Sequence, residues 1–149
     1  MIRPSLLMAT SSQQQLGLAI VRIVTGIVFT AHGAQKLFVY GLDGVAGAFA
    51  KMGVPMPGLL GPFVALVEFL GGIALIIGLL SRIAAAGLAF DMLVAILLVH
   101  LSAGFFLPAG YEFALVLFAS SLAIALAGPG SLSADAAIAS RRSGPDVIT

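Results

Sequence analysis

Four long apolar runs constrain the fold of this chain more than any other feature of its sequence. They cover about residues 16–38, 58–80, 83–105 and 110–128, and turn-forming residues separate them. The hydrocarbon core of a bilayer is about 30 Å thick, so a helix crosses it with roughly 20 apolar residues. The sequence therefore predicts an all-α fold, a polytopic membrane four-helix bundle.

Composition supports a membrane protein and excludes several functions. Of 149 residues, 60% are hydrophobic and 9% are charged, and a soluble protein of this size has no interior large enough for so many apolar side chains. The net charge is +1, and no basic cluster exceeds Arg141-Arg142, so we expect no binding to nucleic acid. Cysteine is absent, which excludes disulfides, thiol nucleophiles and cysteine-ligated clusters. Any redox chemistry would therefore use a bound molecule.

The chain divides into a short amino-terminal segment at 1–15, a membrane domain at 16–130 and a polar tail at 131–149. We expect the first apolar run to be retained rather than cleaved as a signal peptide, because it is long and three similar runs follow it. The tail is predicted to begin with a short helix capped by Ser133.

The basic residues outside the spans predict an orientation. Those on one side of the predicted bundle are Arg3, Arg82, Arg141 and Arg142, whereas Lys51 and the helix-end Lys36 lie on the other. Lys and Arg are retained on the cytoplasmic side, so both termini should be cytoplasmic. The long first loop spaces Val45, Phe49 and Met52 at helical intervals, which predicts a short interfacial helix over about 44–52.

Ionisable side chains fall inside the apolar runs, where charge costs several kcal/mol and normally serves a function. They are Arg22, His32, Lys36, Glu68, Asp91, His100 and Glu112. Helical geometry places those of the first span on one face with small residues. Similar small-residue faces are predicted in two other spans: Gly61, Ala65, Glu68 and Gly72 in the second, and Glu112, Ala119, Ala123 and Ala127 in the fourth.

Counting helical rise from the cytoplasmic edge sorts these groups into two layers. The inner layer holds Arg22, Glu68 and Asp91. We expect a buried ion pair of Arg22 with Glu68, or with Asp91, that staples helices together. The functional alternative is a carboxyl that carries a proton.

The outer layer holds His32, His100 and Glu112, with Lys36 nearby, and we expect these residues to line a pocket or proton relay under the 44–52 segment. Structural hydrogen bonding, a metal site of His32, His100 and Glu112, and a bis-histidine haem site remain as alternatives. Asp91 and His100 are nine residues apart, about 180° on an ideal helix, and cannot both face one cavity without distortion.

Several ordered motifs together resemble the DoxX family. They are Arg22-x3-Gly26, His32-Gly33-x2-Lys36, Gly53-x-Pro55-x-Pro57, Glu68-x2-Gly71-Gly72, His100, Gly110-x-Glu112, and Gly128-Pro129-Gly130 with Ser133 and Asp135. The resemblance covers about residues 14–138. It implies a four-helix membrane protein, whose relatives include a subunit of a thiosulfate:quinone oxidoreductase. Among the site candidates it marks Arg22, His32, Lys36, Glu68 and Glu112, but it offers no firm pattern at Asp91.

These observations predict a multi-pass protein of a bacterial-type inner membrane that serves as a membrane subunit of a quinone-linked redox system. It would be a non-catalytic or quinone-interacting subunit of a membrane oxidoreductase, without a tightly bound cofactor and with quinone as the candidate ligand. Its expected partners are the lipid bilayer, redox proteins and further copies of itself. The alternatives are a proton-coupled small-solute carrier and a membrane anchor or assembly factor for soluble redox enzymes. Against a carrier, the sequence suggests no span broken by proline and no inverted repeat.

Overall fold

The structure, a computed structural model, describes residues 9–142 and is helical over most of that range. The first helix begins with a capping box: Thr10 accepts a hydrogen bond from the Gln13 backbone N–H, and the Gln13 side chain accepts one from the Thr10 N–H. The α-helices are α1 (Ser11–Ala34), α2 (Gly41–Lys51), α3 (Pro57–Ile77), α4 (Ser81–Ala95), α5 (Glu112–Ala127) and α6 (Ala134–Arg142).

Two α-helices continue into π-helical segments, in which the backbone is wound more loosely than in an α-helix. One segment, Gln35–Tyr40, extends α1, and the other, Ile96–His100, extends α4. A short 3-10 turn at Leu101–Ala103 follows the π-helical segment that extends α4. These segments matter because they change the direction in which later side chains project.

The helices confirm the prediction of an all-α membrane bundle. The stretches Ser11–Lys51, Pro57–Ile77 and Ser81–Ala103 are long and apolar enough to cross a bilayer, and α5 is a shorter apolar helix of 16 residues. The helix predicted in the first loop is present as α2. It begins at Gly41, whose backbone φ of 71° ends the preceding helical segment. Pro62 lies inside α3, and the helix continues through it.

α1 and α3 cross at very short range because small residues meet there. A Cβ atom added to Gly33 would lie 2.4 Å from the Phe69 backbone nitrogen, and one added to Gly72 would lie 2.5 Å from the Thr30 nitrogen. The Thr30 hydroxyl is satisfied within its own helix, where it donates to the Gly26 carbonyl at 2.8 Å. The predicted small-residue face of the second span is confirmed by burial. Its members Gly61, Ala65, Glu68 and Gly72 are all buried.

The face predicted for the fourth span is wrong. Ala119, Ala123 and Ala127 are exposed. The buried side of α5 instead consists of Ala114, Leu117, Ser121 and Ile124. This side of α5 is buried because it packs against α4, where its apolar members join one hydrophobic core. That core contains Phe29, Leu75, Ala85, Leu88, Met92, Ile96, Ala114, Leu117 and Ile124.

α6 docks on the turn between α3 and α4. The Asp135 carboxylate accepts hydrogen bonds from the backbone N–H groups of Leu80 (2.8 Å) and Ser81 (3.0 Å), and the Asp135 N–H donates to the Gly78 carbonyl at 2.9 Å. The predicted cap is confirmed, since the Ser133 hydroxyl accepts from the Ala136 N–H at 3.1 Å. The assignment of this end to the cytoplasm stays a prediction, and Arg3 lies outside the described residues.

Candidate functional site

A cavity of about 610 Å³ lies among α1, α3, α4 and the start of α5. Its wall is mostly apolar, and residues from the end of α2 and the loop after it cover part of it. Five ionisable side chains interrupt this apolar lining. They are His32, Lys36, Glu68, Asp91 and His100.

An ion pair joins α1 to α3 at this cavity. The Lys36 ammonium, carried by the first π-helical segment, binds Oε2 of Glu68. The Glu68 side chain is 4% exposed and the Lys36 side chain 21%. A nearly buried carboxylate of this kind depends on its partner, because burial removes the water that would otherwise stabilise its charge.

Asp91 adds a second carboxyl to the same cluster. It lies beside Glu68 and close to Lys36. Its Oδ2 atom is buried and receives no hydrogen bond from any donor within residues 9–142. Two carboxyls therefore face one ammonium, and a single cation balances only one carboxylate. This arrangement suits a shared proton or a ligand that supplies a further donor.

Asp91 and His100 line the same cavity, although an ideal α-helix would place them on opposite sides. The π-helical segment Ile96–His100 supplies the distortion that brings both residues to one cavity. The His100 ring is held in place because its Nδ1 atom lies 2.9 Å from the Ala109 carbonyl oxygen. A carbonyl can only accept, so this contact assigns a proton to Nδ1, and in the neutral ring Nε2 is then an acceptor.

His32 lies at the rim of the cavity and is exposed. Its ring contacts that of Phe113, at the start of α5, with 6.0 Å between the ring centres and a tilt of 47°. His32 also borders a shallow outer groove beside the first π-helical segment. It is therefore placed to contact both the cavity and the exterior of the bundle.

Glu112 does not line the cavity, so its expected place in the pocket is wrong. Its Oε1 atom accepts a hydrogen bond from the Leu107 backbone N–H at 2.8 Å and so fixes the loop before α5. Because Glu112 lies outside the cavity lining, the alternative metal site of His32, His100 and Glu112 is not formed. No group of three His, Cys, Asp or Glu side chains within residues 9–142 is arranged to hold a metal ion.

The expected ion pair between Arg22 and an inner carboxylate is also wrong. Arg22 donates instead to the backbone carbonyls of Leu75, Ile76 (3.2 Å) and Leu132 (2.5 Å). The physical reason is the end of α3 at Ile77, which leaves its last carbonyls without partners in the helix. A guanidinium with several donors satisfies these carbonyls and binds the negative end of the helix dipole.

Asp135 was not among the predicted site residues, but its carboxylate makes a defined contact with the backbone. Partial burial opposes its charge, but hydrogen bonds from the Ser81 and Leu80 N–H groups, with the nearby Arg22 guanidinium, hold the pKa of Asp135 below its ordinary value. The sequence signal was the Ser133-x-Asp135 pattern, since such residues often cap helices. Here the carboxylate caps a different helix, α4.

Comparison with known proteins agrees with this architecture. The family model described as DoxX matches residues 17–101, which is more than half of the chain. A Bacillus subtilis (strain 168) protein named "Putative oxidoreductase CatD" is 31% identical over 121 residues, which cover 81% of this chain and 86% of that protein. A Mycobacterium tuberculosis (strain ATCC 25618 / H37Rv) protein named "Uncharacterized membrane protein Rv3486" is 36% identical over 83 residues, 56% of this chain and 50% of that one.

No solved structure matches the chain significantly. The family match and the similarity to CatD over most of both chains agree with the motifs and with the bundle of long apolar helices. The chain therefore belongs to the DoxX family of membrane proteins.

Proposed function

We propose that this protein is a membrane subunit of a quinone-linked redox system and that its cavity binds the quinone head group. The observation that carries the proposal is the cluster of Lys36, Glu68 and Asp91 inside an otherwise apolar cavity. The related CatD is named as an oxidoreductase, which supports a redox-linked role. The volume of about 610 Å³ also lies within the roughly 300–1,000 Å³ typical of small-molecule sites.

The chemistry of the cluster fits a quinone. A quinone accepts two electrons and two protons to become a quinol, so its site needs a donor for a carbonyl oxygen and groups that exchange protons. Lys36 supplies N–H donors, and the neighbouring carboxyls of Glu68 and Asp91 can give and take protons. His100 contacts Ala109 through Nδ1, so its Nε2 atom offers an acceptor for a quinol hydroxyl. A redox partner protein supplies or accepts the electrons.

The test is extraction of quinone from protein purified in native lipid, with Glu68→Gln compared against Glu112→Gln. The two substitutions are chemically identical, but only Glu68 belongs to the cavity cluster. We expect quinone to copurify with the unaltered protein and with Glu112→Gln, and to be lost from Glu68→Gln. Equal quinone content in both variants, at equal folding, would refute the assignment.

Asp91→Asn and Asp43→Asn form a second matched pair. Asp43 lies on α2 and is exposed, whereas Asp91 lies on the cavity wall. Quinone content should fall in Asp91→Asn and stay unchanged in Asp43→Asn. A loss in both variants would indicate that the assay reports general destabilisation rather than the site.

A further inference from the structure

α3 and α4 are in contact on their buried side and line a common cavity. A Cβ atom added to Gly71 would lie 3.2 Å from the side chain of Leu88, which is buried. Both helices also contribute cavity walls, through Phe63 and Val64 on α3 and through Phe90 and Val94 on α4. The space between the two helices is therefore part of the cavity.

The outer edge of this space is apolar and exposed. Phe63 is 59% exposed and Phe90 is 68% exposed, although both line the cavity. Gly87 also lines the cavity and is exposed, and a Cβ atom added there would meet nothing within 4 Å. At Gly87 the cavity wall thus has no side chain, which leaves a gap there, on helices that are apolar enough to lie in a bilayer.

The gap leads toward the polar cluster. Gly87 and Asp91 are four residues apart on α4, so they lie one above the other on the same face of the helix. The buried Oδ2 atom of Asp91, which lacks a donor within residues 9–142, lies one helical turn from the glycine. A molecule entering beside Gly87 would bring its polar end directly to this acceptor.

We infer that the gap between α3 and α4 at Gly87 is a lateral window through which the quinone enters from the bilayer, with its apolar tail left between Phe63 and Phe90. The inference rests on the proposed function and adds the ligand class, a membrane-dissolved quinone with a tail. Packing of the tail against the two rings favours tailed quinones through van der Waals contacts, because a tail that leaves lipid gains no hydrophobic free energy.

Gly87→Leu tests the window, with Gly17→Leu as its matched control. Gly17 is also an exposed helical glycine with open space around its Cβ position, but it lies near the start of α1 and away from the cavity. The probes are a decyl-tailed benzoquinone and the same benzoquinone without its tail, with affinities measured in quinone-free nanodiscs. We expect Gly87→Leu to weaken binding of the tailed probe by about tenfold, because the leucine occupies the space of the tail. Binding of the tailless probe should not change.

Equal affinity of the tailed probe for Gly87→Leu, Gly17→Leu and the parent would overturn the window. If neither probe binds the parent, the quinone function itself has failed. The opening is then decided without a quinone, since the chain contains no tryptophan and Val64→Trp provides a single reporter in the cavity wall. Lipids with brominated acyl chains should quench this tryptophan, and Gly87→Leu should reduce the quenching. Unchanged quenching would refute the opening.

Discussion

Lys36 of the first π-helical segment and Glu68 of α3 form an ion pair beside the close crossing of α1 and α3. Glu68 is nearly buried, and the two helices approach each other through Gly33 of α1 and Gly72 of α3. The pair thus places a charge-bearing cluster where these two helices pack closely. The same contacts hold the bundle together and fix the polar part of the cavity.

Removing one partner of this pair should cost more than removing both. Lys36→Met leaves Glu68 without its cation and should lower the free energy of unfolding by about 3 kcal/mol. In Lys36→Met/Glu68→Gln the uncompensated charge is gone, so the double variant should be more stable than Lys36→Met. Unfolding by denaturing detergent would measure both values. A double variant whose loss equals the sum of the single losses would contradict the pair.

Arg22 should behave as an independent staple at the other end of α3. Arg22→Met removes the donors to several carbonyls, and each unsatisfied buried carbonyl costs about 1–3 kcal/mol, so a loss of about 3 kcal/mol is expected. Because Arg22 and Glu68 share no partner, combining Arg22→Met with Glu68→Gln should give additive losses within about 0.5 kcal/mol. A large coupling energy between the two substitutions in the same unfolding assay would indicate that Arg22 and Glu68 form an ion pair after all, against the structure.

Gly72→Ala should destabilise the protein, whereas Gly17→Ala should not. The added methyl at Gly72 would meet the Thr30 backbone and push α1 from α3, and overpacking of this kind costs about 1–3 kcal/mol. Gly17 has open space, and alanine favours helix there by up to about 1 kcal/mol. Thermal unfolding in one detergent would compare them. Equal melting temperatures would argue against the tight crossing.

Asp135→Asn should weaken the dock of α6 on the α3–α4 turn by about 0.5 kcal/mol at neutral pH, because asparagine keeps an accepting oxygen but loses the negative charge at the start of α4. The pKa of Asp135 is lowered in the folded protein, so the stabilisation is complete above the unfolded value of about 3.9. It is lost as the pH falls through the lower folded value. Unfolding free energies measured from neutral to acidic pH should therefore converge for parent and variant below about pH 4. A gap that is constant with pH would contradict the role of the carboxylate charge.

The apolar runs predicted the fold well because bilayer thickness ties helix length to sequence directly. The site was harder to predict, since the assumed helices were ideal. The π-helical segments carry Lys36 and His100 into the cavity, and neither segment has a sequence pattern that distinguishes it from an α-helix. Lys36 consequently reaches the inner carboxylates that were expected to bind Arg22.

Backbone partners explain the remaining differences. Arg22 and Glu112 were treated as groups that needed charged or ligand partners, yet each binds backbone at the end of a helix or in a loop. Such partners have no residue-type signature, so a sequence cannot reveal them before the helix ends are known. Glu68, whose side-chain partner is Lys36, was expected on the small-residue face of the second span and is buried there.

Photolabelling with an azido-quinone tests most directly whether the cavity cluster holds the quinone. The membrane-embedded protein would be irradiated with the label, digested and analysed by mass spectrometry, with excess unlabelled quinone as competitor. We predict competed labelling on cavity-wall segments around Lys36, Glu68 and Asp91, and its loss in Glu68→Gln but not in Glu112→Gln. Labelling confined to lipid-facing residues such as Ile83 and Leu126, unaffected by competitor and by Glu68→Gln, would contradict the account.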